Sequence, residues 1–172
     1  MISPDYCRTM ARYNAWQNRS FYREAGRLDE AQRREDRGLF FRSVHATLGH
    51  ILWGDTMWMS RFQPGWDIPS VGPADGEAWM GWDELVEARQ IADARIGDWA
   101  AGLTPHDLEG ELEWYSGVAR RRMARPKWVL VAHFFNHQTH HRGQVHAALT
   151  GFGLRPDATD LGFMDEAQAP AT

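Results

Sequence analysis

The feature that most restricts what this chain can fold into is the run 126–150, which reads as one long helix with two histidines on its apolar side. At about 100° per residue, Leu130, Phe134, Val145, Ala148 and Phe152 form a single stripe, with His137 and His141 in its middle. Spaced four residues apart, these two imidazoles lie nearly one above the other and can converge on one point. Arg142 and His146 are expected to point away from the stripe. An unpaired polar group on a buried face costs on the order of 1–3 kcal/mol, so the pair needs partners. A hydrogen-bonded core pair would supply them, and so would a divalent metal.

The rest of the chain reads as further helices. Residues 5–26 carry Tyr6, Met10, Tyr13, Trp16 and Phe21 at helical spacing, and Gly26 is a stop signal. Residues 28–38 are charged and form a short helix or a loop. The spacing predicts a second long helix over 39–62, with Phe40, Val44, Leu48, Ile51, Trp58 and Phe62 inward. Asp55 lies on that stripe, His50 on its flank, and His45 is expected to point well away. Residues 63–81 are rich in Pro and Gly and read as a long crossover loop, the connection two parallel neighbouring helices need. A third helix follows over 83–103, with Asp83 as its cap. Leu112, Trp114 and the turn at Ser116-Gly117 suggest a small hairpin. Pro126 suits the first turn of the last helix. Beyond it lies a strap with a helical turn near Leu161, expected to fray at Ala169-Pro170. The expectation is a single all-α domain over 1–172, a four-helix bundle with a long crossover loop and a hairpin before its last helix.

Composition removes several function classes. With 172 residues, 43% apolar and 24% charged, the chain has the profile of an ordinary globular protein. The net charge of -4 pulls it towards neither nucleic acid nor anionic membranes. A lone cysteine, Cys7, rules out an internal disulfide framework and fits a reducing compartment. No basic-then-apolar leader opens the sequence and no apolar run approaches about 18 residues, so a cytoplasmic protein is expected. The nine tryptophans point to bulky packing or an aromatic-walled pocket.

A metal site needs a third ligand from another element. His50, facing His137 and His141 from the second helix, would give three nitrogens and leave an open position for water or substrate. His133, one turn before His137, could take its place. His106 and His146 read as surface residues. Asp55 is either a buried hydrogen-bond partner or the carboxylate that orients a ligand imidazole. The segment from His137 to His141 has the spacing of the zinc-protease helix, but Gln138 stands where the general-base Glu belongs. An amide cannot take a proton from water, so a peptidase reading is set aside. Arg120, Arg121, Arg122, Arg125 and Lys127 raise a nucleic-acid partner, but read better as a solvated loop or a clamp for an acidic substrate group. Whether Asp55, Trp53 or Asn14 lines a pocket is left open by spacing alone.

These residues resemble the DinB-like proteins of the DinB/YfiT type. Three segments carry the resemblance: 13–18 in the first helix; 43–50 with Asp55, Trp58, Arg61 and Phe62 in the second; and 136–144, Asn-His-Gln-Thr-His-His-Arg-Gly-Gln, in the last. The resemblance spans nearly the whole chain. It implies an up-down-down-up four-helix bundle and a metal triad at His50, His137 and His141, with zinc or nickel as the metal and a homodimer as the assembly. It also implies a metal-dependent enzyme acting on a small molecule, either a transferase of low-molecular-weight thiols or a hydrolase. The metal's own water or thiol would be the reactive group; the alternative is a non-catalytic carrier of a metal or small ligand.

Overall fold

The computed structural model describes residues 1–117 and 119–164. It is mostly helical, with long helices α1 (Pro4–Ala25), α3 (Val44–Phe62), α5 (Trp82–Gly102) and α6 (Lys127–Gly151), short helices α2 (Glu30–Arg34) and α4 (Gly76–Trp79), and strands β1 (Glu111–Ser116) and β2 (Arg121–Pro126). The long helices pack in a ring: α1 on α5, α5 on α3, α3 on α6, and α6 on α1. Phe21, Leu48, Ile51, Phe134, Phe135 and Leu149 fill the space between them and are almost fully buried. Among the described residues, no helix is long and apolar enough to cross a membrane.

Local chemistry sets the boundaries. Ser3 caps α1 by accepting from the Tyr6 N–H, Pro4 sits in the first turn, and Gly26 follows the last. The expected helix over 39–62 begins later, at Val44. Ser43 caps it, accepting from the Ala46 N–H at 3.0 Å. Before it, Arg42 adopts a left-handed backbone (φ 71) and its N–H closes a tight turn onto the Leu39 carbonyl. Phe40 therefore sits on the turn, 77% exposed, instead of on the core stripe. His45 corrects a second expectation. It is fully buried, with Nε2 3.0 Å from the Met80 carbonyl oxygen, because the segment between α4 and α5 covers that side of α3.

The crossover over 63–81 contains α4, which lies on α3 through a glycine pair: a Cβ on Gly49 would stand 2.7 Å from the Gly76 carbonyl oxygen. Helix α5 is capped by Gly81, whose N–H reaches the Glu84 carboxylate, while the expected cap Asp83 falls in the first turn. The hairpin forms, with Leu112 and Trp114 on the half-buried face of β1. Pro126 occupies the cap position of α6, one residue before the first turn. At the other end, Asp157, Ala158 and Thr159 strap across α1 through Arg23, Gln17 and Tyr13. The helical turn lies at Leu161–Phe163; the fraying expected at Ala169-Pro170 lies outside the described residues.

Candidate metal centre

Helices α3 and α6 bring His50, His137 and His141 together. One ring nitrogen from each lies within 4.8 Å of the others, and among the described residues no Cys, Asp or Glu joins them. His50 Nε2 stands 3.0 Å from His137 Nε2. Two imidazole nitrogens on one tetrahedral zinc ion, at about 2.0–2.1 Å each, lie about 3.3 Å apart, so the spacing suits a shared ion.

The surrounding atoms decide which nitrogens are free. His50 Nδ1 is 2.8 Å from the Pro73 carbonyl oxygen. A carbonyl only accepts, so Nδ1 carries the hydrogen and the Nε2 lone pair points at His137. His141 Nδ1 makes the same kind of bond to Gln144 Oε1 at 3.1 Å, one turn along the helix. Burial pushes His50 down to about 4 and His137 down to about 3, with repulsion among the rings adding to the drop at His137. His141 is lowered as well, again chiefly by burial. All three are neutral at pH 7, the form in which imidazole binds a metal.

Packing fixes the rings further. Phe41, delivered by the turn before α3, stacks on His50 with centroids 3.7 Å apart. Trp53 lies nearly parallel to the same His50 ring at 5.9 Å and donates its indole N–H to the Val71 carbonyl, tying the crossover to α3. His137 lies directly over Gly54: a Cβ there would meet its Cε1 at 2.7 Å. An aromatic rim runs from His133 to Trp58 and on to Trp114 of the hairpin, at ring separations of 5.2 and 5.8 Å.

The other expected residues fall elsewhere. His133 is exposed, its ring 5.9 Å from His137, and lies outside the three-histidine cluster. His140 is exposed against Gln144. Asp55 touches no imidazole: its carboxylate takes bonds from Arg89 at 2.6 Å and Gln138 at 2.7 Å in the bundle interior, where burial pushes its pKa up against the pull of Arg89. Gln138 is therefore a buried structural amide. Asn14 is also buried in the interior, and of the residues left open only Trp53 borders the cluster. Arg142, expected to point away, is 3% exposed. The buried arc of α6 is wider than one stripe because the helix packs against both α1 and α3. Phe41, Gly54 and the Pro73 carbonyl were not legible as site elements; each depends on a turn, a close approach or a loop path that carries no periodic signal.

The DinB family model matches residues 1–172. The chain belongs to the DinB family. No curated protein matches it. Within the DinB family frame, the segments over 13–18, 43–62 and 136–144 fall on α1, α3 and α6, the three helices that surround the buried Asn14, Asp55 and Gln138 and carry the histidine cluster.

Proposed function

We propose that His50, His137 and His141 hold a divalent metal, zinc or nickel, and that the protein is a metal-dependent enzyme transferring a small thiol to an electrophile. The observation that carries this reading is the convergence of three neutral imidazoles, with His50 Nδ1 committed to Pro73, His141 Nδ1 to Gln144, and His50 Nε2 facing His137. When bound, such a metal lowers the pKa of a water or thiol and so supplies a nucleophile at neutral pH. Three protein ligands leave a position for that group.

The chain's own residues favour a thiol over water. Hydrolysis usually recruits a protein base to activate water, yet Asp55 is engaged by Arg89 and Gln138, and no described carboxylate joins the histidines. A metal-bound thiol, far more acidic than water to begin with, would release its proton to solvent without such a base. Phe41 on one side and the rim of Trp58 and Trp114 on another give apolar walls for the substrate. The up-down-down-up arrangement and a homodimer belong to the same reading and rest on the family resemblance; a cytoplasmic location rests on the single cysteine, Cys7, which fits a reducing compartment.

The test is turnover of a panel of low-molecular-weight thiols with chlorinated and epoxide electrophiles, using zinc- and nickel-loaded protein. Thiol consumption that disappears in His50→Ala and His137→Ala supports the assignment. Hydrolysis of an ester panel without thiol consumption would replace it with the hydrolase, and metal binding without any turnover would leave a carrier.

A further inference from the structure

On the edge of α6 away from the three histidines, a separate cavity of about 300 Å³ lies between α6 and α1. Tyr13, Phe21, Thr139, Arg142, His146 and Thr159 line it, the last from the C-terminal strap. Most donors here are committed. Tyr13 donates its hydroxyl to the Thr159 carbonyl, and Thr139 donates its own to the Phe135 carbonyl.

Arg142 is different. Its Nη2 donates to Thr139 Oγ1 at 3.3 Å, and its buried Nη1 has no hydrogen-bond partner. Among the described residues it has no ion pair: the interior carboxylates Asp55 and Asp93 both pair with Arg89, at 2.6 and 2.9 Å. Burial pulls Arg142 down to about 10, which still leaves it cationic at neutral pH. The Tyr13 ring lies 5.5 Å from Cζ, and the negative charges of Asp55 and Asp93 attract the guanidinium without an ion pair to it. A buried donor left without a partner is unfavourable. The cavity beside it has room for far more than one water. His146 lies one turn after Arg142 on the same face, its ring in edge contact with Phe21.

We propose that this cavity binds a small oxyanion, a carboxylate or a phosphate, with one oxygen on Arg142 and a second on His146. Guanidinium is suited to this task, since its planar fork matches the spacing of two oxyanion oxygens. The site stands apart from the metal reading and does not depend on it.

Titration of the full ¹⁵N-labelled chain with inorganic phosphate, and separately with acetate, tests it. Sodium chloride controls for ionic strength, and the resonances read are the Arg142 guanidinium and the His146 ring. The expected result is saturable shifts at both groups with one of the two anions, while the rings of His50 and His137 stay in place. The anion that saturates identifies the chemistry. Arg142→Gln should weaken binding by about tenfold or more, the loss typical of a charge-assisted hydrogen bond. His146→Gln, at a half-buried position, should keep the fold and also weaken binding, and decides the matter if Arg142→Gln does not fold. No saturation with either anion, shifts that chloride reproduces, or unchanged affinity in the folded variants would overturn the proposal.

Discussion

Replacing Gly54 with alanine isolates the placement of His137 from the stability of the fold. The added Cβ would stand 2.7 Å from His137 Cε1, 3.2 Å from Nδ1 and 3.7 Å from Nε2. Carbon atoms pack comfortably at about 3.5–4.0 Å, so the ring must withdraw by roughly 1 Å. Metal–ligand distances tolerate only about 0.2 Å, and even indirect disturbance of a ligand costs about 10–100-fold in metal affinity. The clash falls on the end of a side chain, which can rotate away without moving α3 or α6. Alanine in a helix interior is itself favoured over glycine by roughly 0.5–1 kcal/mol. Gly54→Ala should therefore unfold, metal-free, at a temperature at or above that of wild type while binding zinc at least about tenfold more weakly. Chelator competition and thermal unfolding by circular dichroism read the two effects separately. Wild-type zinc affinity in this variant would refute the claim that His137 is placed by the missing side chain at Gly54.

Other substitutions separate the roles of neighbouring residues. Gly49→Ala drives a Cβ into the Gly76 carbonyl, a backbone atom that cannot yield, so about 1–3 kcal/mol of stability should be lost in denaturant unfolding; an unchanged midpoint would show that α4 does not need the close approach. Asp55→Ala leaves Arg89 buried with half its pairing and should cost about 3–5 kcal/mol, yet the folded fraction should still bind metal, because Asp55 touches none of the three imidazoles. Loss of metal with full stability would reverse that assignment. In metal-free protein, His50 and His137 titrate in the fold near 4 and 3, against about 6.5 when unfolded. Below about 6.5 the unfolded chain therefore binds more protons, so stability is complete above that pH and declines as pH falls below it. Urea midpoints at pH 7.5 and 5.5 should show the decline, smaller in His137→Gln; a flat profile contradicts the burial of these rings.

How much was legible in the sequence follows from which interactions are periodic. The spacing of His137 and His141 places both on one side of α6, because a helix of 3.6 residues per turn permits little else, and His50 on the flank of α3 follows from the same rule. Arg142 points away from the stripe only for a helix with one packing partner. Packed against α1 and α3 together, the helix buries a second edge that a single stripe does not describe. Phe40 fits the spacing of the stripe on α3, but the left-handed Arg42 and the Ser43 cap override that pattern and start the helix at Val44. The Pro73 carbonyl that orients His50 comes from a loop whose path is set by the Gly49–Gly76 contact and the Trp53–Val71 bond, long-range events without a local signature.

The most direct test of the central claim is the metal content of untagged, chelator-free protein by elemental mass spectrometry, alongside His50→Ala, His137→Ala and His141→Ala. Wild type should carry about one equivalent of zinc or nickel per chain, as expected for a single site of three protein ligands, and each variant should lose it with the helical fold retained. A wild type that carries no metal and takes up none when zinc or nickel is supplied would contradict it.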